Sequence, residues 1–486
     1  YFIGGRVTTD TFCSLFKRRH HSVVRDTIFA LSSGHGKCGV SVIRTSGPAS
    51  GDALQLLTGW KQLPPPRRVT LTSLLCPTTG ELLDRGLVLW FSGPKSFTGE
   101  DCCEYHVHGG PAVVMGVLQA LVKSLGTVQM LRPAEPGEFT KRAFQNGKLD
   151  LTEAEGLGDL IHAETEIQRR QALRQMSGEL GQLYQKWSHR LVTALAHVEA
   201  FIDFSEDDNV EENVLTSVDS EVKNLQEELE DHLKDSRRGE RLRDGLHLVL
   251  AGATNAGKSS LLNLTSQKPA AIVSPIPGTT RDVVETVLNI GGYPVIMSDT
   301  AGLRDSEDPV EKEGVRRAKE RQYPANCYCF LGNLEKQALQ YYKDCVFKSN
   351  IMHIFLNKSD LLDPPGHAKV QELCKDPELP TACFLSCQTG QGVGDFIYIL
   401  KQKLEKIVNY LTSDLLRATV TVPTRHRLHL NKCLEALEQY TIYREQDLVL
   451  AAEELRISYR ELGAITGRVG VEGILDIIFR DFCIGK

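Results

Sequence analysis

The chain has 486 residues, of which 41% are hydrophobic and 24% charged, with a formal net charge of -6 at pH 7. This length predicts two to four domains, and the charge predicts no overall attraction to nucleic acid or to an anionic membrane. No apolar run reaches the roughly 18 residues of a membrane-spanning helix, and the 13 cysteines show no zinc-type spacing, which favours reduced thiols.

Residues 1–25 form a basic arm in which five arginine or lysine residues stand against one acidic residue, Asp10. A segment rich in Arg and Lys with few acidic residues is typical of a mitochondrial presequence. A disordered basic arm without a targeting role fits the same composition, so both interpretations stay open.

Residues 26–147 predict a domain of mixed helices and strands. Apolar stretches predict strands at Ile28–Leu31, Val40–Ile43, Leu87–Phe91 and Tyr105–Val107. A helix is expected near Ala112–Leu125. His106 and His108 suggest a pair of metal ligands, but no third ligand has a matching spacing, so histidines on a sheet face are favoured.

From residue 148 the pattern becomes helical. Apolar residues from Leu173 to Phe201 recur every three or four positions, which predicts one long amphipathic helix, and Val214–Leu233 repeats the pattern after an acidic stretch. Helical periodicity returns after residue 405. The segments 148–244 and 406–486 are therefore expected to pack together as one bundle, interrupted by an α/β domain over 245–405.

The α/β domain opens with Gly252–Ser259, which has the pattern Gly-x-x-x-x-Gly-Lys-Ser between an apolar strand and a helical run. That is a phosphate-binding loop in the context that it requires. Its backbone N–H groups converge on phosphate oxygens, and the helix N-terminus adds partial positive charge. Lys258 is expected to reach the β- and γ-phosphates, and Ser259 to bind Mg²⁺.

Three further motifs follow in the order expected of a guanine-nucleotide site. Asp299–Gly302 follows a strand and offers an aspartate for water-bound Mg²⁺ and a glycine amide for the γ-phosphate. In the motif that begins at Asn357, the Asp360 carboxylate accepts hydrogen bonds from guanine and would leave adenine unpaired, a discrimination of roughly 10⁴–10⁵. Ser386–Gln388 fits the last loop that contacts the base. These motifs predict a GTPase.

Leu303 occupies the position after Gly302, where Ras-type GTPases have a glutamine that orients the attacking water. A leucine side chain cannot orient water. GTP hydrolysis is therefore expected to need another side chain and an additional charge at the phosphates.

The motif IPGTTRD (276–282), the terminal FCIGK (482–486), Leu303 and the interrupted helical segment resemble the MnmE/TrmE family of tRNA modification GTPases. The match is best with the animal mitochondrial members of the family. Long N-terminal matches support it: GVSVIRTSG (39–47), SFTGEDCCEYHVHGG (96–110) and PGEFTKRAFQNGKLDLTEAE (136–155). The resemblance covers nearly the whole chain.

The resemblance implies a multidomain α/β and α fold class. Its parts are an N-terminal folate-binding α+β domain over 26–147 that forms a homodimer, a discontinuous helical bundle domain, and an inserted Ras-like P-loop G domain. The implied function is potassium-dependent GTP hydrolysis that supports tRNA modification in the mitochondrial matrix. An MnmG-like partner carries FAD, and a tetrahydrofolate derivative of the 5-formyl or methylene type supplies a carbon. The product is an aminomethyl group, in mitochondria taurinomethyl, at C5 of the wobble uridine.

The resemblance assigns the folate site residue by residue. Arg44, Glu104, Lys148 and Lys486 match the family's folate contacts, since basic groups suit a glutamyl carboxylate and a carboxylate suits the N–H donors of a pterin. Cys483 accompanies Lys486 on the tail, where it acts either as a catalytic nucleophile or as a packing residue.

The resemblance also assigns the nucleotide site. The implied GTP-binding residues are Asn255, Ala256, Gly257, Lys258, Ser259, Ser260, Ser274, Pro275, Ile276, Pro277, Gly278, Thr279, Thr280, Asp299, Thr300, Ala301, Gly302, Asn357, Lys358, Asp360, Ser386, Cys387 and Gln388. Ser259 and Thr280 are the implied Mg²⁺ ligands.

A potassium site is implied at Asn255, Ser274, Ile276 and Thr279. A K⁺ ion there would supply the charge of an arginine finger, which is worth about 10³–10⁵ in rate. The implied catalytic residue for positioning water is Glu311. Arg281, Asp282 and Arg304 match switch residues, and they could equally form surface salt bridges.

Two features leave alternatives. Residues 322–350 lack the usual apolar strand of the family, and Pro324 with its cysteine-rich neighbours suits a central strand poorly. Lys141 and Arg142 either contact tRNA or cover a helix.

The competing function is a ribosome-assembly or signalling GTPase whose flanking domains only bind other molecules.

Overall fold

The computed structural model describes residues 26–123, 131–204, 213–251, 256–266, 285–299, 327–332, 351–362, 382–409, 423–468 and 485. The described residues fall into two compact units. One contains the residues up to Leu149 together with Gly485, and the other contains residues 150–468. The basic arm, residues 1–25, lies outside the described residues.

The first unit is built on a six-stranded sheet. Its elements in chain order are β1 (Thr27–Leu31), β2 (Cys38–Ser46), α1 (Ser50–Thr58), β3 (Thr70–Leu75), β4 (Leu82–Phe91), β5 (Cys102–Gly109), α2 (Pro111–Lys123), β6 (Leu131–Pro133) and α3 (Glu138–Gln145). The strand order is β3-β4-β5-β2-β1-β6, with all neighbours antiparallel except β1 and β6. The four predicted strands and the predicted helix are therefore present.

The two faces of this sheet have different roles. One face packs on α1 and α2 around buried residues such as Ile43, Leu54 and Tyr105. Side chains alternate between the faces of a strand, so the neighbours of Ile43 and Tyr105 point the other way. That second face carries Arg44 and Glu104, which lie opposite each other in the β2–β5 register.

The second unit combines helices with a second six-stranded sheet. Its helices before the sheet are α4 (Leu151–His162), α5 (Glu166–Met176), α6 (Glu179–Phe204) and α7 (Asn213–Asp244). The sheet region contains β7 (Leu246–Ala251), α8 (Lys258–Ser266), β8 (Glu285–Ile290), β9 (Tyr293–Asp299), β10 (Cys327–Gly332), β11 (Ile351–Leu356), β12 (Ala382–Phe384) and α9 (Val393–Asn409). The helices α10 (Thr424–Tyr443) and α11 (Leu448–Thr466) follow.

Helices from before and after the sheet share one hydrophobic core. Residues of α6, α7, α10 and α11 pack in it, among them Trp187, Leu225, Leu437 and Leu455. A buried ion cluster adds to this packing, because Glu155 of α4 accepts hydrogen bonds from Arg425 at 2.9 Å and from His426 at 2.7 Å. Burial alone would raise the pKa of Glu155, but His426 and Arg425 outweigh it and lower the pKa to about 2.

The expectation of one long helix from Leu173 to Phe201 is wrong. The helix breaks between α5 and α6 at Ser177 and Gly178. Gly178 has φ of +83°, a left-handed conformation that ends a helix and that other residues rarely adopt. Periodicity alone did not register this break because the apolar spacing continues across it.

The doubt about a central strand within 322–350 is also wrong, because Cys327–Gly332 forms β10. This strand lies between β7 and β11 and is parallel to both. Its sequence CYCFLG contains aromatic and apolar residues that suit a sheet, and Pro324 precedes the strand, so no ladder hydrogen bond is lost. Residues 333–350 lie outside the described residues.

The second sheet has the order β12-β11-β10-β7-β9-β8, in which only the β8–β9 pair is antiparallel. In open parallel sheets of this type, ligands bind beyond the carboxyl ends of the strands, where the strand order reverses. Here that point is β7, between β9 and β10. Among the described helices, none is long and apolar enough to cross a membrane.

Candidate functional site

The phosphate loop occupies the carboxyl end of β7. Gly257 has φ of +98°, and a Cβ atom there would lie 2.1 Å from Nδ2 of Asn357, so only glycine fits. Lys258 follows as the first residue of α8, and its side chain is buried. This is the strand-loop-helix geometry in which backbone N–H groups and a helix N-terminus receive phosphate.

Asn357 braces the phosphate loop against two other loops. Its Nδ2 donates to the Ala256 carbonyl at 2.7 Å, and its Oδ1 accepts from the Cys387 backbone N–H at 3.0 Å. The side chain is only 2% exposed. One buried amide therefore connects the loop for phosphate with the two loops predicted to contact the base.

Asp360 lies at the rim of this site. Ser386 Oγ donates to its Oδ1 at 2.5 Å, and Ser386 Oγ in turn accepts from the Thr389 backbone N–H at 3.2 Å. Ser386 is fully buried while Asp360 is exposed. The buried Ser386 hydroxyl thus orients the carboxylate, which stays accessible to a ligand that donates hydrogen bonds, as guanine does.

Cys387 belongs to the same loop, with its Sγ 4.0 Å from the Gly257 carbonyl. Burial raises the pKa of this thiol, which favours its protonated form at neutral pH. Its contribution to the site is the backbone N–H held by Asn357.

Of the remaining residues predicted for the nucleotide site, some lie within the described residues and the others lie outside them. Asp299 ends β9 opposite Leu250 of β7, at the same edge as the phosphate loop. Ser259 and Ser260 are exposed in the first turn of α8, and Gln388 is exposed beside Cys387. Outside the described residues lie Asn255, Ser274, Pro275, Ile276, Pro277, Gly278, Thr279, Thr280, Arg281, Asp282, Thr300, Ala301, Gly302, Arg304 and Glu311.

A second candidate site lies on the face of the first sheet that carries Arg44 and Glu104. Arg44 Nη2 and Nε donate to Glu104 Oε1 at 2.8 and 3.1 Å. The Arg44 guanidinium carbon also lies 5.4 Å from the ring centre of Phe97 and 5.7 Å from that of Phe139. The Phe139 ring is fully buried, so it supports Arg44 from the core. The partly exposed charge pair offers a carboxylate to hydrogen-bond donors and a guanidinium to a carboxylate.

The chain terminus reaches this unit. Ser32 Oγ, at the end of β1, donates to the Gly485 carbonyl at 2.8 Å. Gly485 has φ of +97°, and a Cβ atom there would lie 2.1 Å from the Leu31 carbonyl oxygen. Cys483 and Lys486 lie outside the described residues, so their roles stay predictions. Lys148 is exposed, and its Cγ lies 3.4 Å from the position of a Cβ on Gly99.

The structure bears on two of the open alternatives in this unit. Arg142 is 5% exposed and forms ion pairs with Glu100 and Glu138, so its cation is buried and not presented on the surface. Lys141 is half-buried, and its two alternatives stay predictions. His108 Nδ1 lies 2.8 Å from Asp84, and His106 lies 3.5 Å from Glu104. Each of the two histidines therefore lies beside a carboxylate of the same sheet.

Sequence reasoning missed Phe97, Phe139 and Ser32. Phe97 lies in the segment SFTGEDCCEYHVHGG and Phe139 in PGEFTKRAFQ, and both segments match the family. The matches alone do not indicate that these rings lie near Arg44. Ser32 gave no signal, because its partner Gly485 is 453 residues away.

The sheet order, the phosphate loop at the carboxyl end of β7 and the Asp360 carboxylate define a P-loop protein of the guanine-nucleotide-binding class. Two family models match the sequence: the MnmE helical domain over residues 151–483 and the GTP-binding protein TrmE N-terminus over residues 27–148. The chain belongs to the MnmE/TrmE family of tRNA modification GTPases, as its motifs predict.

Similar proteins span almost the same length. The mitochondrial 5-taurinomethyluridine-[tRNA] synthase subunit GTPB3 of Danio rerio is 55% identical over 95% of this chain and 93% of its own length. The protein of the same name from Homo sapiens is 54% identical with the same coverage. The tRNA modification GTPase MnmE of Paramagnetospirillum magneticum is 47% identical over 95% of this chain and 100% of its own length.

Proposed function

We propose that this chain hydrolyses GTP in the mitochondrion as one subunit of an enzyme that makes taurinomethyluridine in tRNA. The observation that carries the proposal is the Asp360 carboxylate oriented by Ser386 in a chain that matches named taurinomethyluridine synthase subunits over nearly their full length. The MnmG-like FAD partner and the matrix location are part of the proposal, on the strength of the family resemblance.

GTP binds across the carboxyl end of β7. Lys258 and the amides of the phosphate loop neutralise the phosphates, and Asp360 accepts the N–H donors of guanine. The exposed Ser259 in the first turn of α8 fits a Mg²⁺ ligand, because its hydroxyl lies at the helix N-terminus where the phosphates bind. A Mg²⁺ ion held there would neutralise charge on the phosphates.

Hydrolysis needs a side chain that positions water, since Leu303 cannot do so. Glu311 takes this role in the proposal. Asn255, Ser274, Ile276 and Thr279 would hold a K⁺ ion, whose charge at the phosphates would be worth about 10³–10⁵ in rate. These assignments rest on the family resemblance.

The face of the first sheet that carries Arg44 and Glu104 binds the folate. Glu104 faces the donors of the pterin, and Arg44, Lys148 and Lys486 provide cations for the rest of the ligand. The Arg44–Glu104 pair fits this role because both side chains are partly exposed, at 15% and 21%, and are fixed by each other. Cys483 acts as a nucleophile or packs the tail, and the two roles have different experimental outcomes.

A homodimer through the first unit completes the proposal. Leu71 and Leu87 lie opposite each other in the β3–β4 register at the edge of the sheet, and they are 57% and 40% exposed. Exposed apolar neighbours on an edge strand and its partner suit a protein interface. The MnmG-like protein and tRNA are the further partners.

The alternative is a ribosome-assembly or signalling GTPase. The names of the similar proteins favour tRNA modification over this alternative. The direct test is nucleotide turnover by the purified full chain with Mg²⁺, in potassium and in sodium buffer, with GTP and with ATP. We expect GTP turnover only, and much faster in potassium. Turnover of ATP at the GTP rate would overturn the guanine site, and equal rates in both buffers would overturn the potassium site.

A further inference from the structure

The loop of residues 96–101, between β4 and β5, contacts two of the four proposed folate residues. Its Phe97 ring lies 5.4 Å from the Arg44 guanidinium. Its Gly99 lies against Lys148, whose Cγ is 3.4 Å from where a Cβ on Gly99 would be. Gly99 has φ of +80°, so both conformation and space favour glycine there. The 96–101 loop therefore lies between the two cations.

Arg142 of α3 fixes one end of the loop. Its Nη1 donates to Glu100 Oε2 at 3.0 Å and to the Asp26 carbonyl at 2.6 Å, while Nη2 donates to Glu138 at 3.0 Å. Glu100 also accepts from Ser46 Oγ of β2 at 2.7 Å. A guanidinium that is almost fully buried thus joins the loop to the start of β1 and to α3.

Asn146 fixes the centre of the loop from the end of the same helix. Its Nδ2 donates to the Thr98 carbonyl at 2.6 Å, and its Cβ would lie 3.0 Å from a Cβ on Gly99. The Asn146 residue is exposed, so this contact organises the loop without contributing to the core.

We infer that the 96–101 loop sets the separation of Arg44 and Lys148 in the proposed folate site, and that Arg142 and Asn146 are the positioning residues that hold the loop. The inference rests on the proposed folate function. Phe97 limits where the Arg44 guanidinium lies, and Gly99 packs beside the stem of Lys148. A loop that moves changes the distance between two cations that a folate must meet together, which weakens its binding.

The chain provides matched control variants. Arg132 also bonds Asp26 and Glu138, but its described partners do not include the loop. Arg132→Lys therefore disturbs the same ion network without the loop contact. Gln145 is exposed and adjacent to Asn146, so Gln145→Ala controls for a change at the end of α3.

The test is equilibrium binding of 5-formyltetrahydrofolate to the full chain, with thermal unfolding and GTP turnover measured on the same preparations. We expect Asn146→Ala and Arg142→Lys to weaken binding by about fivefold or more, the factor typical of one lost hydrogen bond. Arg132→Lys and Gln145→Ala should bind like the wild type, even where Arg132→Lys lowers the melting temperature, and GTP turnover should not change.

The outcomes separate this inference from the proposed function. Binding by Asn146→Ala and Arg142→Lys at the wild-type affinity would overturn the positioning role and leave the folate site intact. Equal weakening by Arg132→Lys would show a general loss of stability and would also overturn it. No binding by the wild type would overturn the folate site itself, and the inference with it. Because the Asn146 side chain is exposed, Asn146→Ala gives an answer even where Arg142→Lys fails to fold.

Discussion

Replacing Asn357 by alanine should weaken nucleotide binding as a whole, because it removes the brace between the phosphate loop and the base loops. The substitution leaves two backbone groups without their partners: the Ala256 carbonyl and the Cys387 N–H. Both contacts surround a side chain that is 2% exposed, so water does not readily replace it. A buried polar group without a partner costs about 1–3 kcal/mol, which gives about 2–6 kcal/mol for the pair.

We expect about half of this cost, about 1–3 kcal/mol, to fall on nucleotide binding, which raises the Kd roughly 5- to 150-fold. The assay is titration with a fluorescent GTP analogue, followed by competition with unlabelled GTP, GDP and XTP. All three should weaken by a similar factor, because the brace supports the loops and does not select the base. A Kd within about twofold of the wild type would refute the role assigned to Asn357.

Three further predictions concern other parts of the chain. Asp360→Asn should shift preference from GTP toward XTP, since an amide donates where the carboxylate only accepts; unchanged discrimination in competition binding would contradict it. Burial lowers the pKa of His232 to about 4, so only the unfolded state gains a proton as pH falls from about 6.5. Stability should drop by about 2 kcal/mol between pH 7 and pH 5, and His232→Gln should reduce that drop in urea unfolding; an identical drop would refute it. Cys483→Ser should abolish uridine modification and leave GTP turnover near normal, and modification at the normal rate would make the thiol a packing residue.

The nucleotide site could be predicted from the sequence because each of its parts is local. The phosphate loop and the motif around Asp360 are short segments, and the chemistry of each requires particular residues at fixed spacing. The brace at Asn357 follows from the fold, because it joins residues about a hundred positions apart.

The first sheet shows where sequence reasoning stops. Arg44 and Glu104 were assigned by family resemblance, whereas their direct pairing depends on the β2–β5 register, which periodicity does not define. Arg142 looked like a surface cation because charge alone does not show burial. Its carboxylate partners at Glu100 and Glu138 explain why it is buried instead.

Two predictions about the second unit are corrected by the structure: the single long helix and the doubt about a strand at β10. The helix ends at Gly178 because of its left-handed backbone conformation. The apolar spacing continues across this residue, so periodicity does not reveal the break. Cysteines and a nearby proline argue against the strand Cys327–Gly332, yet the proline lies before the strand and the aromatic residues suit the sheet.

The most direct test of the proposed function is mass spectrometry of wobble uridines in mitochondrial tRNA from cells that lack this chain, with and without its re-expression. We expect the 5-taurinomethyl group to be absent without the chain and restored by the wild type. The Asp360→Asn variant should fail to restore it at ordinary GTP levels. Unchanged taurinomethyluridine in cells without the chain would contradict the proposed function.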